Sequence, residues 1–267
     1  MLTTTAADGT ERTLDSATPA LTLSALRKSF RATVAVDGVD LVVPQGSFFG
    51  LVGPNGAGKT TTLLMVVGLL RPDGGSARIF GRDVWADPVE AKALVGVLPD
   101  GMAMPERLTG REMLTYLGLL RGIDAASVAG RADELLDVLA LAHAEDTLVV
   151  DYSAGMRKKI GLAAAVLHGP RLLVLDEPFE GVDPASAAVI KTMLTRFVAG
   201  GGSVVFSSHV MALVEQLCDR VALIADGRVL LSGELAAVRG GRSLEDVFVE
   251  LVGVRLPDVD GLAWLLS

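Results

Sequence analysis

The spacing of apolar residues along the chain predicts strands of two kinds. Apolar and polar residues alternate over residues 21–29 and 34–43, as expected for strands with one buried face. Runs that are apolar nearly throughout, residues 47–52, 94–98 and 172–175, are typical of strands buried on both faces of a parallel sheet. The pattern therefore predicts an α/β fold with a mainly parallel sheet, and an antiparallel β portion near the N-terminus.

Helical spacing of apolar residues marks the middle of the chain. A capping-box pattern begins at Thr109, a second helix is predicted over residues 126–141, and Ser153 is placed to cap a third helix. These helices fall between predicted strands of the sheet. We therefore expect a helical subdomain, at about residues 101–168, that is inserted into the sheet core.

Helix-start patterns and composition indicate where the core domain begins and ends. Asp183 precedes a proline and Ser243 precedes an acidic residue by three positions, and each arrangement predicts a helix start. We expect one core domain over residues 21–240, followed by a C-terminal helix and tail over residues 241–267. Residues 1–20 offer no periodic apolar face and are predicted to be a disordered lead.

Charge and composition exclude several classes of function. The 267-residue chain has a formal net charge of −8, which argues against nucleic-acid binding and against direct binding to anionic lipid. No apolar run is long enough to span a bilayer, and the N-terminus lacks a signal pattern, so we expect a cytoplasmic chain. The single Cys218 excludes an internal disulfide and is expected to be a buried core thiol.

A phosphate-binding loop is the strongest chemical signal in the sequence. The segment that starts at Gly53 fits the pattern G-x-x-x-x-G-K-[ST], follows a predicted buried strand, and precedes a helix predicted over residues 58–70. Its glycines let backbone N–H groups surround an anion, while Lys59 reaches the β- and γ-phosphates and the Thr60 hydroxyl can ligate Mg²⁺. The residues expected to contact the nucleotide are Asn55, Gly56, Ala57, Gly58, Lys59, Thr60 and Thr61.

Two carboxylates follow the apolar run that ends at residue 175. Asp176 is placed to hold the same Mg²⁺ as Thr60, and Glu177 to orient the attacking water or accept its proton. The alternative interpretation is an acidic pair that ends a strand and faces solvent. The phosphate loop elsewhere in the chain favours the catalytic interpretation.

An aromatic residue and a histidine complete the set of chemical candidates. Phe30 can stack on an adenine ring, or it can be a half-buried phenylalanine at a strand end. His209 ends a predicted strand and can contact a γ-phosphate. His143 and His168 lie at predicted helix ends and are expected to face solvent.

The order of these motifs resembles the ATP-binding subunit of an ABC transporter, over roughly residues 21–252. The end of that region, residues 243–248, resembles the cassettes that serve ABC-2-type exporters. The resemblance rests on five segments in family order, which are residues 53–61, 152–156, 172–178, 180–183 and 207–209.

The resemblance implies roles for residues on both sides of a subunit interface. By this comparison Phe30 stacks on adenine, Lys59, Thr60 and Asp176 bind phosphate and Mg²⁺, Glu177 is the catalytic carboxylate, and His209 touches the γ-phosphate. Ser153 and Gly155 match the signature segment that completes the ATP site of the opposite subunit, and Asp183 matches the acidic residue between the two sites. The residues so assigned are Phe30, Lys59, Thr60, Asp176, Glu177, His209, Ser153, Gly155 and Asp183.

The sequence also departs from the family pattern. Tyr152, Ala154 and Met156 replace three residues of the usual Leu-Ser-Gly-Gly-Gln signature. Asp100 stands where the family usually has a glutamine that senses Mg²⁺ and water, and it is expected to hold a metal-bound water. Whether Asp100 takes over the coupling role of that glutamine does not follow from the sequence.

The resemblance implies an ATPase that forms a head-to-tail homodimer with ATP and Mg²⁺ and drives a separate membrane permease. The permease would dock on residues near 100–121 and keep the chain at the inner face of the membrane. A small GTPase or kinase would share the phosphate loop but not the segments around Ser153 and His209. A regulatory nucleotide-binding module without hydrolysis is the main alternative, which Glu177 disfavours and Asp100 slightly favours.

Overall fold

The structure is a computed structural model that describes residues 18–101 and 104–253. Its strands, in chain order, are β1 (Leu21–Phe30), β2 (Thr33–Val43), β3 (Phe48–Val52), β4 (Gly74–Ile79), β5 (Arg82–Asp83), β6 (Val95–Leu98), β7 (Leu172–Leu175), β8 (Ser203–Ser208), β9 (Arg220–Ala225) and β10 (Arg228–Glu234). Its α-helices are α1 (Lys59–Val66), α2 (Pro88–Ala93), α3 (Gly110–Leu120), α4 (Ala125–Val138), α5 (Ala154–Val166), α6 (Pro184–Ala199), α7 (Met211–Leu217), α8 (Leu235–Arg239) and α9 (Leu244–Val252).

The strands form two sheets. The larger sheet has the order β10-β9-β3-β8-β7-β6, in which all pairings are parallel except that of β10 with β9. The smaller sheet has the order β2-β1-β4-β5 and is antiparallel throughout. The predicted combination of a mainly parallel sheet with an antiparallel N-terminal portion is confirmed. The carboxyl ends of β3, β7 and β8 meet at one edge, which is where α/β sheets bind ligands.

Apolar side chains of the larger sheet enter two cores, one on each face. Phe48 and Phe206 belong to the core that is covered by α3 to α9. Phe49 and Leu51 belong to the core that is covered by α1 and the smaller sheet. Cys218 is buried in the first of these cores, as expected, and burial raises the pKa of its thiol.

Helices α3, α4 and α5 lie between β6 and β7, where the insertion was predicted. Thr109 accepts a hydrogen bond from the Glu112 N–H, and the Glu112 carboxylate accepts one from the Thr109 N–H, so the capping box is formed. Ser153 caps α5 through a hydrogen bond from the Met156 N–H at 3.2 Å. These caps fix the starts of both helices.

Several predicted boundaries were wrong. The helix after the phosphate loop ends at Val66 rather than at residue 70, because Gly68 adopts the left-handed conformation (φ 70°) that terminates helices. The short elements β5, α2 and α8 were missed. Within the predicted lead, Ala20 is fully buried and its N–H donates to the Val43 carbonyl at 2.9 Å, so the ordered fold includes residues 18–20. The rest of the lead and of the predicted tail, residues 1–17 and 254–267, lies outside the described residues.

Candidate active site

The phosphate loop connects β3 to α1 at the carboxyl edge of the larger sheet. Gly58 is the N-cap of α1 with φ 96°, and a Cβ there would lie 2.4 Å from the Ala35 carbonyl oxygen. Only glycine fits this position, both for its conformation and for the close approach of β2. The loop glycine of the sequence pattern is thus required by the packing of the smaller sheet on the loop.

Lys59 is the buried cation of the loop. Its ammonium donates to the carbonyl oxygens of Gly53 at 2.7 Å and Pro54 at 3.1 Å, and its side chain is 6% exposed. Of the other predicted contact residues, the exposed ones are Asn55, Gly56 and Thr60, the half-buried ones are Gly58 and Thr61, and Ala57 is buried. The loop therefore leaves Asn55, Gly56 and Thr60 exposed to solvent, while the Lys59 side chain is buried.

Asp176 and Glu177 follow β7 and are both buried, so the structure rejects a solvent-facing acidic pair. Ser207 on β8 links them, because its hydroxyl donates to Asp176 Oδ1 and accepts from the Glu177 N–H at 2.9 Å. Ser207 lies in one of the segments that carry the family resemblance, but no role was predicted for it. A serine two residues before the strand-end histidine was the available signal.

The Glu177 carboxylate lies between two basic side chains. Its Oε1 is 3.5 Å from the Lys59 ammonium, and its Oε2 is 3.2 Å from Nδ1 of His209. His209 follows β8 and its side chain is 37% exposed, so it borders on solvent. The structure thus brings Lys59, Glu177 and His209, which are far apart in sequence, into one cluster beside Asp176.

Asp100 lies in the turn after β6 and pairs with Lys158, for which no role was predicted from the sequence. Lys158 on α5 places its ammonium 3.3 Å from Asp100 Oδ1 and donates to the Glu177 carbonyl oxygen at 2.9 Å. The run of three basic residues after Met156 was the only sequence signal for this contact.

Ser153, Gly155 and Asp183 lie where α5 meets α6. A Cβ on Gly155 would lie 2.7 Å from Asp183 Oδ2 and 2.7 Å from the Ser186 hydroxyl. The Asp183 carboxylate accepts a hydrogen bond from the Ser186 N–H at 2.9 Å. Hydrogen bonds from the backbone and the side chain of Ser186 hold the pKa of Asp183 below its usual value. Ser153 and Asp183 are both exposed, so the start of α5 presents them to solvent.

Phe30 and the remaining histidines complete the predicted set. Phe30 ends β1 with 48% of its surface exposed, and the Lys28 ammonium lies 5.7 Å from its ring centroid. His143 is exposed, as expected. His168 is not: it is half-buried, its Nε2 is 3.1 Å from the Val95 carbonyl oxygen, and burial followed by the charge of Arg121 lowers its pKa to about 4.

This fold and this site define a phosphate-loop nucleoside triphosphatase. The ABC transporter family model matches residues 36–180. The chain is 42% identical over 216 residues to the daunorubicin/doxorubicin resistance ATP-binding protein DrrA of Streptomyces peucetius, covering 81% of this chain and 66% of that protein. It is 33% identical to the linearmycin resistance ATP-binding protein LnrL of Bacillus subtilis, covering 82% of this chain and 71% of that protein.

A solved structure agrees with the sequence relatives. The structure of an ATP-binding subunit of an ABC transporter matches with a TM-score of 0.80 and 30% identity, and the match covers 87% of this chain and 99% of that one. The chain therefore belongs to the ABC transporter family. It is an ATP-binding subunit, an ATPase that powers a membrane permease.

Proposed function

We propose that the chain acts as a homodimer that hydrolyses ATP with Mg²⁺ and drives a separate export permease. The cluster of Lys59, Glu177 and His209 beside Asp176 is the observation that carries this proposal. Phosphoryl transfer to water needs charge neutralisation and a positioned nucleophile, and this cluster has side chains for both. Lys59 binds the β- and γ-phosphates, Glu177 orients the water and takes its proton, and His209 contacts the γ-phosphate. Phe30 stacks on the adenine.

Thr60 and Asp176 would hold the Mg²⁺. A hydroxyl and a carboxylate oxygen suit Mg²⁺, which binds through one or two carboxylates plus substrate phosphates and water. The hydrogen bond from Ser207 engages Oδ1 of Asp176 and leaves Oδ2 as a ligand. When bound, the ion neutralises phosphate charge. Asp100 forms an ion pair with Lys158 instead, so we leave it out of the metal set.

The dimer would place the start of α5 against the ATP of the partner. The exposed Ser153 hydroxyl and the N–H groups of the first turn of α5 form a surface that suits a phosphate. Gly155 lets α5 approach α6 closely, so that Asp183 lies beside the signature segment. We propose that Asp183 bridges the two sites across the interface.

A groove of about 710 Å³ offers a docking surface for the permease. The exposed apolar residues Leu69 and Val89 line it together with the cations Lys92 and Arg121. Arg121 belongs to the region near residues 100–121, where the family resemblance implies that the permease docks. An apolar segment of the permease that carries a carboxylate would match this groove in shape and charge.

The relatives suggest the direction of transport and the location. One protein 36% identical to the chain is the Nod factor export ATP-binding protein I of Ralstonia nicotianae, and two others are named for drug resistance. Across the parts of the chain that the structure describes, each helix is too short or too polar to span a membrane. We propose that the chain is held at the cytoplasmic face of the membrane by an exporter permease.

Substitution of the catalytic carboxylate tests the proposal. Glu177→Gln should keep ATP binding but slow hydrolysis about 10²- to 10⁴-fold, because the water loses its general base. Glu134→Gln, at an exposed position of α4 outside the motif segments, is the control and should hydrolyse ATP at the normal rate. ATPase assays and calorimetry on the purified chain measure both quantities. Normal hydrolysis by Glu177→Gln would refute the assignment, and binding without hydrolysis by the unaltered chain would favour a regulatory module.

A further inference from the structure

We propose that Lys158 is a positioning residue for ATP hydrolysis, and that Asp100 acts by holding Lys158 in place. The inference rests on the proposed role of Glu177, whose backbone Lys158 contacts. Lys158 and Asp100 would then act on the Glu177 of their own subunit, although both lie outside the phosphate loop and the Asp176–Glu177 pair. Asp100 would thereby have a function that does not depend on a glutamine-like contact.

Lys158 is held in place by two contacts. Its side chain is 15% exposed, and its ammonium contacts both the Glu177 carbonyl oxygen at 2.9 Å and Asp100 Oδ1 at 3.3 Å. Holding a lysine in one geometry costs about 2 kcal/mol of side-chain entropy. The cost is offset here by two charge-assisted contacts with the end of β7 and the turn after β6.

The two neighbouring cations make no such contact. Arg157 donates to the Val150 carbonyl at 3.2 Å, and Lys159 donates to the Ala140 carbonyl at 3.3 Å. Both acceptors belong to the helical insertion itself. Of these three consecutive cations, Lys158 is the one that ties α5 to the catalytic strand.

The Glu177 backbone needs such support. Its φ of 44° lies in the left-handed region, which costs a residue other than glycine about 1 kcal/mol and persists only when neighbours fix it. Ser207 accepts from its N–H at 2.9 Å, and its carbonyl accepts from the Glu180 N–H at 3.2 Å and from Lys158. Because the backbone orientation aims the carboxylate, loss of Lys158 would let the carboxylate drift from its working position.

Asp100 supplies the countercharge for this lysine. Its side chain is 50% exposed, so the ion pair adds little to stability. Its contribution is positional: a carboxylate 3.3 Å from the ammonium keeps Lys158 pointed at the Glu177 carbonyl. A glutamine at this position would offer no negative charge, so Asp100 and Lys158 form a matched pair within this chain.

Steady-state ATPase kinetics of the full chain test the inference. Lys158→Gln should lower kcat about 10- to 100-fold, the effect of a small misplacement of a catalytic group. Its KM for ATP should stay within about threefold, because no phosphate contact is removed. Lys158→Arg should restore most of kcat, and Arg157→Gln is the control that removes a neighbouring charge without effect. If Lys158→Gln and Arg157→Gln unfold at the same urea concentration, the loss of kcat in Lys158→Gln is due to positioning and not to lower stability.

Asp100→Asn should lower kcat by a smaller factor than Lys158→Gln. The double variant should be no slower than Lys158→Gln alone, because Asp100 acts through Lys158. A double variant whose losses multiply would overturn the role of Asp100. Equal kcat in Lys158→Gln and Arg157→Gln would overturn that of Lys158.

Glu177→Gln in the same series distinguishes two failures. If Glu177→Gln is slow while Lys158→Gln hydrolyses ATP normally, only the positioning role is refuted. If Glu177→Gln itself hydrolyses ATP normally, the catalytic assignment and this inference both fall.

Discussion

Removing Lys59 should destabilise the fold as well as weaken nucleotide binding. Among the described residues, Glu177 Oε1 is buried without a hydrogen-bond donor, and the Lys59 ammonium 3.5 Å away supplies its countercharge. The two side chains are 6% and 12% exposed. Lys59→Ala therefore leaves a carboxylate in a poorly solvated position with the half-exposed His209 as its remaining basic neighbour.

The expected cost follows from this geometry. At an effective dielectric constant of about 20, unit charges at this separation attract by about 5 kcal/mol, most of which offsets desolvation. Breaking a buried pair from one side typically costs about 3–5 kcal/mol. Because Glu177 keeps His209 nearby, we expect Lys59→Ala to lose about 3 kcal/mol. Glu177→Gln should lose only about 1 kcal/mol, since Lys59 keeps two carbonyl acceptors.

A double-mutant cycle measures the coupling. Urea unfolding without nucleotide, followed by far-UV circular dichroism, should show that the double variant Lys59→Ala/Glu177→Gln recovers about 2 kcal/mol relative to the sum of the single changes. Lys191→Ala removes a hydrogen bond to Gln216 on α7, far from this pair in sequence, and should instead be additive with Glu177→Gln. Additivity of Lys59 and Glu177 within about 0.5 kcal/mol would refute the view that this pair is a buried ion pair.

Two further predictions concern the dimer and His168, which lines the groove. Lys59→Ala and Ser153→Arg should each be inactive alone, but mixing them should restore ATPase activity, because one composite site then keeps both an intact Lys59 and an intact Ser153. Lack of recovery, with mixed dimers confirmed by light scattering, would contradict the head-to-tail arrangement. His168, which faces Arg121 and Arg131, has a pKa lowered from 6.5 to about 4, so the unfolded chain binds more protons in this range. Stability should fall as pH decreases from about 6.5 to about 4, and urea unfolding of His168→Gln should show a weaker decrease.

Much of the fold was accessible from sequence because the strands and caps are local signals. The apolar runs, the capping box at Thr109 and the cap at Ser153 each act within a few residues, and all three predictions are confirmed. The end of α1 was predicted too late, since apolar residues continue beyond Gly68 and the stop depends on the backbone of that glycine. The burial of His168 was missed because it depends on the neighbouring strand β6, whose Val95 it contacts.

The site was predictable residue by residue but not as a set of contacts. The phosphate loop and the acidic pair stand out as motifs, whereas their connection depends on which strands lie next to each other. Ser207 reaches Asp176 because β8 pairs with β7, and Lys158 reaches Glu177 because α5 packs across the sheet edge. These are long-range consequences of topology, which spacing in a single sequence does not encode.

Because the strands of the large sheet are apolar on both faces, their apolar pattern alone does not fix the strand register. In β7, Leu173 and Leu175 enter one core while Leu172 and Val174 enter the other, so a shift by one residue would still bury apolar side chains. Glycines on two other strands of the sheet restrict the register of those strands, because a side chain in their place would clash. A Cβ at Gly96 on the adjacent β6 would lie 2.0 Å from the Ala165 carbonyl, and one at Gly50 on β3 would lie 2.6 Å from Val214. A β7 shifted by one residue would place one acid where the other belongs and move the second out of the site. Because β7 pairs with β6, the glycine that fixes β6 also helps to keep the two acids in their separate roles.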